Sequence, residues 1–270
     1  MNVRVNGIDL AYDDRGSGIP LVLLHGFPFS RRMWRPQADV LSQACRLITP
    51  DLRGFGESTG TPSSLEELAD DVHALVEHLG FPTFVLGGFS MGGYVAFRYV
   101  ATHPDRLTAL LLLDTRADAD SPEAPQRRYA GIERIQTEGP AGFLEDFLKL
   151  VLSADSVENR PMIVGEVRRM MAATPVPSLI GGLKALAERP DSLPLLAQLT
   201  VPTLIAVGDA DKATPPEASE KMHEQIAGST LVVVPGAGHL SPLEQPAHVN
   251  AAVLEFLGWL PSDTPPQSGR

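Results

Sequence analysis

Short apolar runs closed by glycine or aspartate alternate along this chain with segments whose apolar residues recur every third or fourth position. "PLVLLHG", "CRLITPD", "TFVLGG", "LTALLLLD", "PTLIAVGD" and "STLVVVPG" are continuous apolar runs of strand length. That is the pattern of strands buried on both faces. Between the first two, Met33, Trp34, Ala38 and Leu41 fall at helical spacing, with Pro36 in the first turn. In "SLEELADDVHALVEHLG", Leu65, Leu68, Val72, Leu75 and Leu79 line one helix face. Ser63 and Glu66 offer a capping box and Gly80 a stop. "MGGYVAFRYVATHP", "PPEASEKMHEQIA" and "PLEQPAHVNAAVLEFLGWL" are further helices. Val3–Asn6 and Ile8–Tyr12 predict a hairpin around Asn6-Gly7. The strand–helix alternation predicts an α/β fold, a mostly parallel sheet with helices on both faces, mixed by its antiparallel start.

The rhythm breaks between 115 and 200. No strand-like run occurs there, and "APQRRYAGIERIQTEG", "AGFLEDFLKLVLS", "RPMIVGEVRRMMAAT" and "SLIGGLKALAE" all read as helices. The expected organisation is a core formed by 1–114 and 201–260, a helical lid inserted at 115–200, and a flexible tail at 261–270, where "PSDTPPQSGR" is polar and proline-rich.

Composition narrows the function classes. The chain has 270 residues and a formal charge of -11. A surface so acidic repels nucleic acid and anionic membranes. There is one cysteine, Cys45, so no internal disulfide is possible. It sits in a strand-like run, where a buried, inert thiol is expected. No apolar run reaches the ~20 residues of a membrane span, and the N-terminus lacks a signal-peptide core. A cytoplasmic protein is expected. Oligomeric state is not legible.

The chemistry is concentrated in "VLGGFSMGGYVAFRY". Gly88-Phe89-Ser90-Met91-Gly92 is a G-x-S-x-G between a predicted strand and a predicted helix, the setting in which a serine is presented at a sharp turn. A serine hydroxyl needs a base. Of the seven histidines, His73, His78, His103, His223 and His248 lie on or at the ends of predicted helices, and His25 stands at a strand end, where it ties loops together. His239 differs, because "VVVPGAGHLSPLEQP" places it in a glycine-rich loop past the last strand. The acid that orients it is Asp211 in "GDADKATPPE", with strand-end Asp114 as rival. Thr214, Glu217 and Pro215 supply the start of the next helix, which leaves Asp211 free. The Met91 N–H at the helix start and the Phe27 N–H in "LLHGFPFS" are candidate oxyanion donors. Asp51 and Arg53 hold the "PDLRGFGES" loop by charged hydrogen bonds.

"LLHGFP", "DLRGFGES", "GGFSMGG", "GDAD" and "GAGHLSPLEQP", in that order, resemble the landmarks of the α/β-hydrolase superfamily over nearly the whole chain. The resemblance implies Ser90 as nucleophile, Asp211 as acid, His239 as base, an oxyanion hole at Phe27 and Met91, a lid from the helical insert, and no metal or organic cofactor. The wording is similar to small carboxylesterases, to cofactor-free haloperoxidase-like esterases and to 3-oxoadipate enol-lactonases. The implied activity is hydrolysis of a small carboxylic ester or lactone through an acyl-enzyme. The alternatives are an enol-lactone hydrolase and a non-catalytic ligand-binding protein on the same fold. Unlike enol-lactonases, this chain has no lid tryptophan, since its two are Trp34 and Trp259. The lid methionines Met162, Met170 and Met171 therefore suggest an adaptable apolar roof that takes neutral esters, with no gain from a free carboxylate. In Arg127–Arg128 and Arg168–Arg169, at most one member of each pair is expected to face a narrow pocket.

Overall fold

A computed structural model of the chain describes residues 1–119 and 123–260. The 261–270 tail lies outside the described residues. The hairpin of β1 (Asn2–Val5) and β2 (Ile8–Gly16) leads into β3 (Pro20–Leu24). A 3₁₀ turn at Arg31–Trp34 runs into α1 (Arg35–Leu41), then β4 (Arg46–Pro50), α2 (Leu65–His78), β5 (Phe84–Phe89), α3 (Met91–Thr102) and β6 (Leu107–Leu113). Among the described residues, six helices follow without a strand: α4 (Ala124–Glu138), α5 (Pro140–Val151), α6 (Ala154–Asn159), α7 (Pro161–Ala172), α8 (Val176–Ala187) and α9 (Leu193–Leu196). The alternation resumes with β7 (Thr203–Gly208), α10 (Pro216–Gln225), β8 (Thr230–Val234), α11 (Ser241–Glu244) and α12 (Pro246–Trp259).

The eight strands form one sheet in the order β1-β2-β4-β3-β5-β6-β7-β8. Only β1–β2 and β2–β4 pair antiparallel. The central β5 and β7 are buried at every position, because helices cover both faces of the sheet. The edge strand β8 is only partly covered, and its Val233 is 45% exposed. The registers Gly88↔Leu112, Leu113↔Ala206 and Gly208↔Val234 bring the carboxyl ends of β5, β6, β7 and β8 side by side. Chain leaving those four ends converges on one region, which is where open parallel sheets place their sites. No single helix among the described residues is long and apolar enough to cross a membrane.

One expected cap lies a residue further on. Ser64, not Ser63, caps α2 by accepting the Glu67 N–H at 3.1 Å, and the Glu67 carboxylate accepts from both the N–H and hydroxyl of Ser63. Ser64 takes the cap because Leu65 begins the helix, and the burial of Leu65 sets where the first turn docks. Cys45 is fully buried, and burial pushes its thiol pKa up to about 12. Asp51 accepts from the N–H groups of Arg31 and Glu57, and Arg53 forks onto Asp71 at 2.7 and 2.8 Å. Both therefore anchor loops, as their setting predicts.

Candidate active site

Ser90 joins β5 to α3 in a left-handed backbone conformation, φ 52° and ψ -114°, that a non-glycine residue adopts only when its surroundings impose it. The flanking glycines permit the close packing that holds it. A Cβ at Gly88 would lie 2.2 Å from the Gly92 carbonyl, and one at Gly92 would lie 2.4 Å from the Leu24 carbonyl. Backbone cannot retreat as a flexible side chain can, so both positions exclude any larger residue. Gly26 serves the same closeness from the neighbouring strand, since its Cβ would sit 3.1 Å from that of Ser90. The result is a hydroxyl lifted off the sheet at the first turn of a helix.

His239 and Asp211 meet that hydroxyl from two other loops. The His239 Nε2 lies 2.8 Å from Ser90 Oγ, and its Nδ1 lies 2.8 Å from Asp211 Oδ2. With Asp211 accepting the Nδ1–H, Nε2 is left as the acceptor for the serine proton. The ring of His239 packs on Phe89, 5.0 Å between centroids, which fixes its tilt. Asp211 is itself saturated. Its Oδ1 accepts the N–H groups of Ala213 and Thr214, and its Oδ2 also accepts the Thr214 hydroxyl at 2.7 Å. Burial alone would raise the Asp211 pKa. The His239 charge and hydrogen bond, with the Thr214 donors, outweigh it and hold the carboxyl below its ordinary value.

One feature differs from expectation here. Thr214 does not cap α10, which starts at Pro216 with Pro215 before it and no side-chain cap. Its hydroxyl instead donates to the buried Asp211 carboxylate, a charge-assisted hydrogen bond. Asp114, the rival acid, points elsewhere. Fully buried, it accepts the Gly208 N–H at 2.9 Å and meets the Ser241 hydroxyl at 2.5 Å. Burial and the nearby Asp211 charge push its pKa well above the carboxylate range. Asp114 thus ties the β7 end, which carries Asp211, to the turn after His239.

Glu244 is a second brace that the sequence reading did not single out. Its carboxylate accepts the N–H of Gly238 and of Ser153, both at 2.9 Å, pinning the His239 loop to the start of α6. The only sequence signal was an acidic residue inside "HLSPLEQP". His25 is buried and neutral in its bonding, with Nε2 accepting the Leu52 N–H and Nδ1 against the Gly26 carbonyl. Burial lowers its pKa. It orders the loop and does not reach Ser90. His73 and His103 stack at 3.8 Å far from the site.

A cavity of about 580 Å³ opens over Ser90 and His239, within the size range of small-molecule sites. Phe27, Tyr94, Phe143, Phe147, Leu150 and Leu183 give it an apolar lining. Methionine does not line it. Met171 is buried, Met162 is 81% exposed, and Met170 faces a different cleft beside Arg169 and Glu166. Arg127 and Arg128 both line it, against the expectation of one per pair. Both lie in the opening turns of α4.

Residues 19–246 match the family described as alpha/beta hydrolase fold. A thermophilic esterase from Thermogutta terrifontis, solved with malate bound, superposes with a TM-score of 0.90 at 43% identity, covering 95% of this chain and 96% of its own. The enol-lactonase from Burkholderia xenovorans LB400 gives 0.89 at 28% identity, covering 96% and 100%. A pimeloyl-[acyl-carrier protein] methyl ester esterase from Neisseria meningitidis is 31% identical over 87% of this chain and 75% of its own length. With eight strands in mixed order, a helical insertion before β7 and a hydrogen-bonded Ser–His–Asp relay at the strand ends, the chain belongs to the α/β-hydrolase fold family and is a serine hydrolase of its esterase and lactonase branch.

Proposed function

We propose that Ser90 is the nucleophile, His239 the general base and Asp211 the acid that orients it, with the Phe27 and Met91 N–H groups as the oxyanion hole. The observation that carries this is the unbroken Ser90–His239–Asp211 chain, two contacts of 2.8 Å each. Ser90 Oγ attacks the ester carbonyl while its proton passes to His239 Nε2. The imidazolium is held by Asp211 and then protonates the leaving alkoxide. Water, deprotonated by the same nitrogen, releases the acid from the acyl-enzyme. The oxyanion assignment is supported by two placements. Met91 is the first residue of α3, whose opening N–H groups lack intrahelical partners, and Phe27 follows Gly26 against Ser90.

The substrate is a small carboxylic ester or lactone, in keeping with the esterase and lactonase names of the relatives. A lactone uses the same steps with the alkoxide still tethered. We take 1–114 and 201–260 as the catalytic core and 115–200 as its cap. The assembled relay and open cavity favour catalysis over mere ligand binding. The test is Ser90→Ala with fluorophosphonate labelling followed by mass spectrometry. The adduct is expected on the Ser90 peptide of the wild type alone, with hydrolysis of p-nitrophenyl butyrate abolished in the variant. Labelling elsewhere, with activity retained in the variant, would overturn the assignment.

A further inference from the structure

The cavity over Ser90 has the opposite sign to the molecule. The chain carries a formal -11, yet among the described residues no Asp or Glu lines this cavity while Arg116, Arg127, Arg128 and Lys212 do. Arg116 is occupied by a forked pair with Asp118. The Arg127 guanidinium and the Lys212 ammonium have no hydrogen bond or ion pair among the described residues. Arg169 of the cap is also unpaired among the described residues, but it lies in a different cleft whose lining includes Glu57 and Glu166. Other arginines of the cap are paired. Arg134 pairs with Glu138 and Asp146, Arg160 with Asp155, and Arg168 with Glu145. In a chain with acid in excess, carboxylate partners are plentiful, so two cations left unpaired at one cavity form a local positive field. Low-dielectric walls of Phe143, Phe147 and Leu150 focus that field.

We propose that the site selects esters or lactones bearing a second, anionic group, with Arg127 on α4 and Lys212 on the β7–α10 loop holding a substrate carboxylate and the apolar wall receiving the spacer that separates it from the reacting carbonyl. This rests on Ser90 being the nucleophile and reverses the sequence-based expectation that a free carboxylate brings no gain. Guanidinium forks match a carboxylate in shape as well as charge, and the ammonium adds a point charge. Both groups are exposed, so water and salt weaken the contact, and the effect belongs in substrate binding more than in turnover.

The experiment compares matched esters. One arm sets p-nitrophenyl butyrate against the mono-p-nitrophenyl ester of glutaric acid, with the carboxylate on the acyl part. The other sets phenyl acetate against 4-carboxyphenyl acetate, with the carboxylate on the alcohol part. The quantity read is the ratio of kcat/KM, charged over neutral. The expected ratio is roughly tenfold in at least one arm, carried by KM, and the favoured arm tells which half of the substrate holds the anion. It is expected to fall towards one in Arg127→Gln and in Lys212→Gln, and in the wild type as salt shortens the screening length below ~10 Å. Ratios at or below one in both arms, or a preference that survives both substitutions, would overturn the proposal while leaving the hydrolase reading intact. Failure to hydrolyse any of the four esters, with no fluorophosphonate adduct at Ser90, would overturn both.

Discussion

Replacing Asp211 by Asn tests whether the relay works through tautomer control. The side chain keeps its shape, so the outcome depends on which end of the amide faces His239. In the native site Oδ1 accepts two backbone N–H groups, from Ala213 at 2.8 Å and Thr214 at 2.9 Å. An amide nitrogen there would oppose two donors, each costing about 1–3 kcal/mol when left unsatisfied in a buried place. The Asn oxygen is therefore held at the Oδ1 position, and the NH₂ takes the Oδ2 position facing His239 Nδ1. A donor there makes Nδ1 the acceptor and moves the ring proton to Nε2, where it points at Ser90 Oγ. The base is then protonated at the nitrogen that must take the serine proton. The expected loss in kcat is roughly 10⁴-fold, the figure for the equivalent change in a serine protease, or about 5.4 kcal/mol of barrier. Hydrolysis of p-nitrophenyl butyrate measures it, with circular dichroism to show that the fold is kept. A loss below about tenfold, or a larger loss from Asp114→Asn, would refute the reasoning.

Asp114→Ala should strand the Gly208 N–H and the Ser241 hydroxyl and cost about 2–5 kcal/mol in denaturant unfolding, whereas Asp114→Asn keeps both contacts and should cost much less. Because burial, then the Asp211 charge, raise the folded pKa of Asp114, its contribution is fully present below the ordinary carboxylate range and is lost as pH rises. Asp114→Asn should therefore gain on the wild type with increasing pH above about 4. His103 is displaced the other way, lowered by burial and then by stacked His73. Its stability is present above about 6.5 and lost as pH falls, so the melting temperature of His103→Gln should depend less on pH between about 7.5 and 5. Gly92→Ala drives a Cβ to 2.4 Å from the Leu24 carbonyl and should destabilise by about 3 kcal/mol or more, read by chemical denaturation; a value under about 1 kcal/mol would show that the turn can relax.

The elements were legible because their causes are local. Short apolar runs closed by glycine or a turn, such as Phe84–Phe89, fit strands buried on both faces, and the glycines around Ser90 mark a close approach whatever the rest of the fold does. The relay was legible for a related reason. Ser90, Asp211 and His239 each sit just past a strand, and parallel strands in one sheet end on one side. What the sequence could not hold was anything set by distance across the fold. Asp114 and Asp211 both follow strands, but only packing turns Asp114 towards Gly208 and Ser241 and Asp211 towards His239. Thr214 carries the signal of a helix cap, and only the buried carboxylate beside it decides where its hydroxyl goes. Glu244 reaches Ser153 across 91 positions of chain, a pairing no local pattern encodes. The sign of the cavity was hidden most completely. A formal -11 is a sum over all residues, whereas a substrate meets only the few side chains that folding brings to Ser90, and their charge depends on which cations were paired on the way.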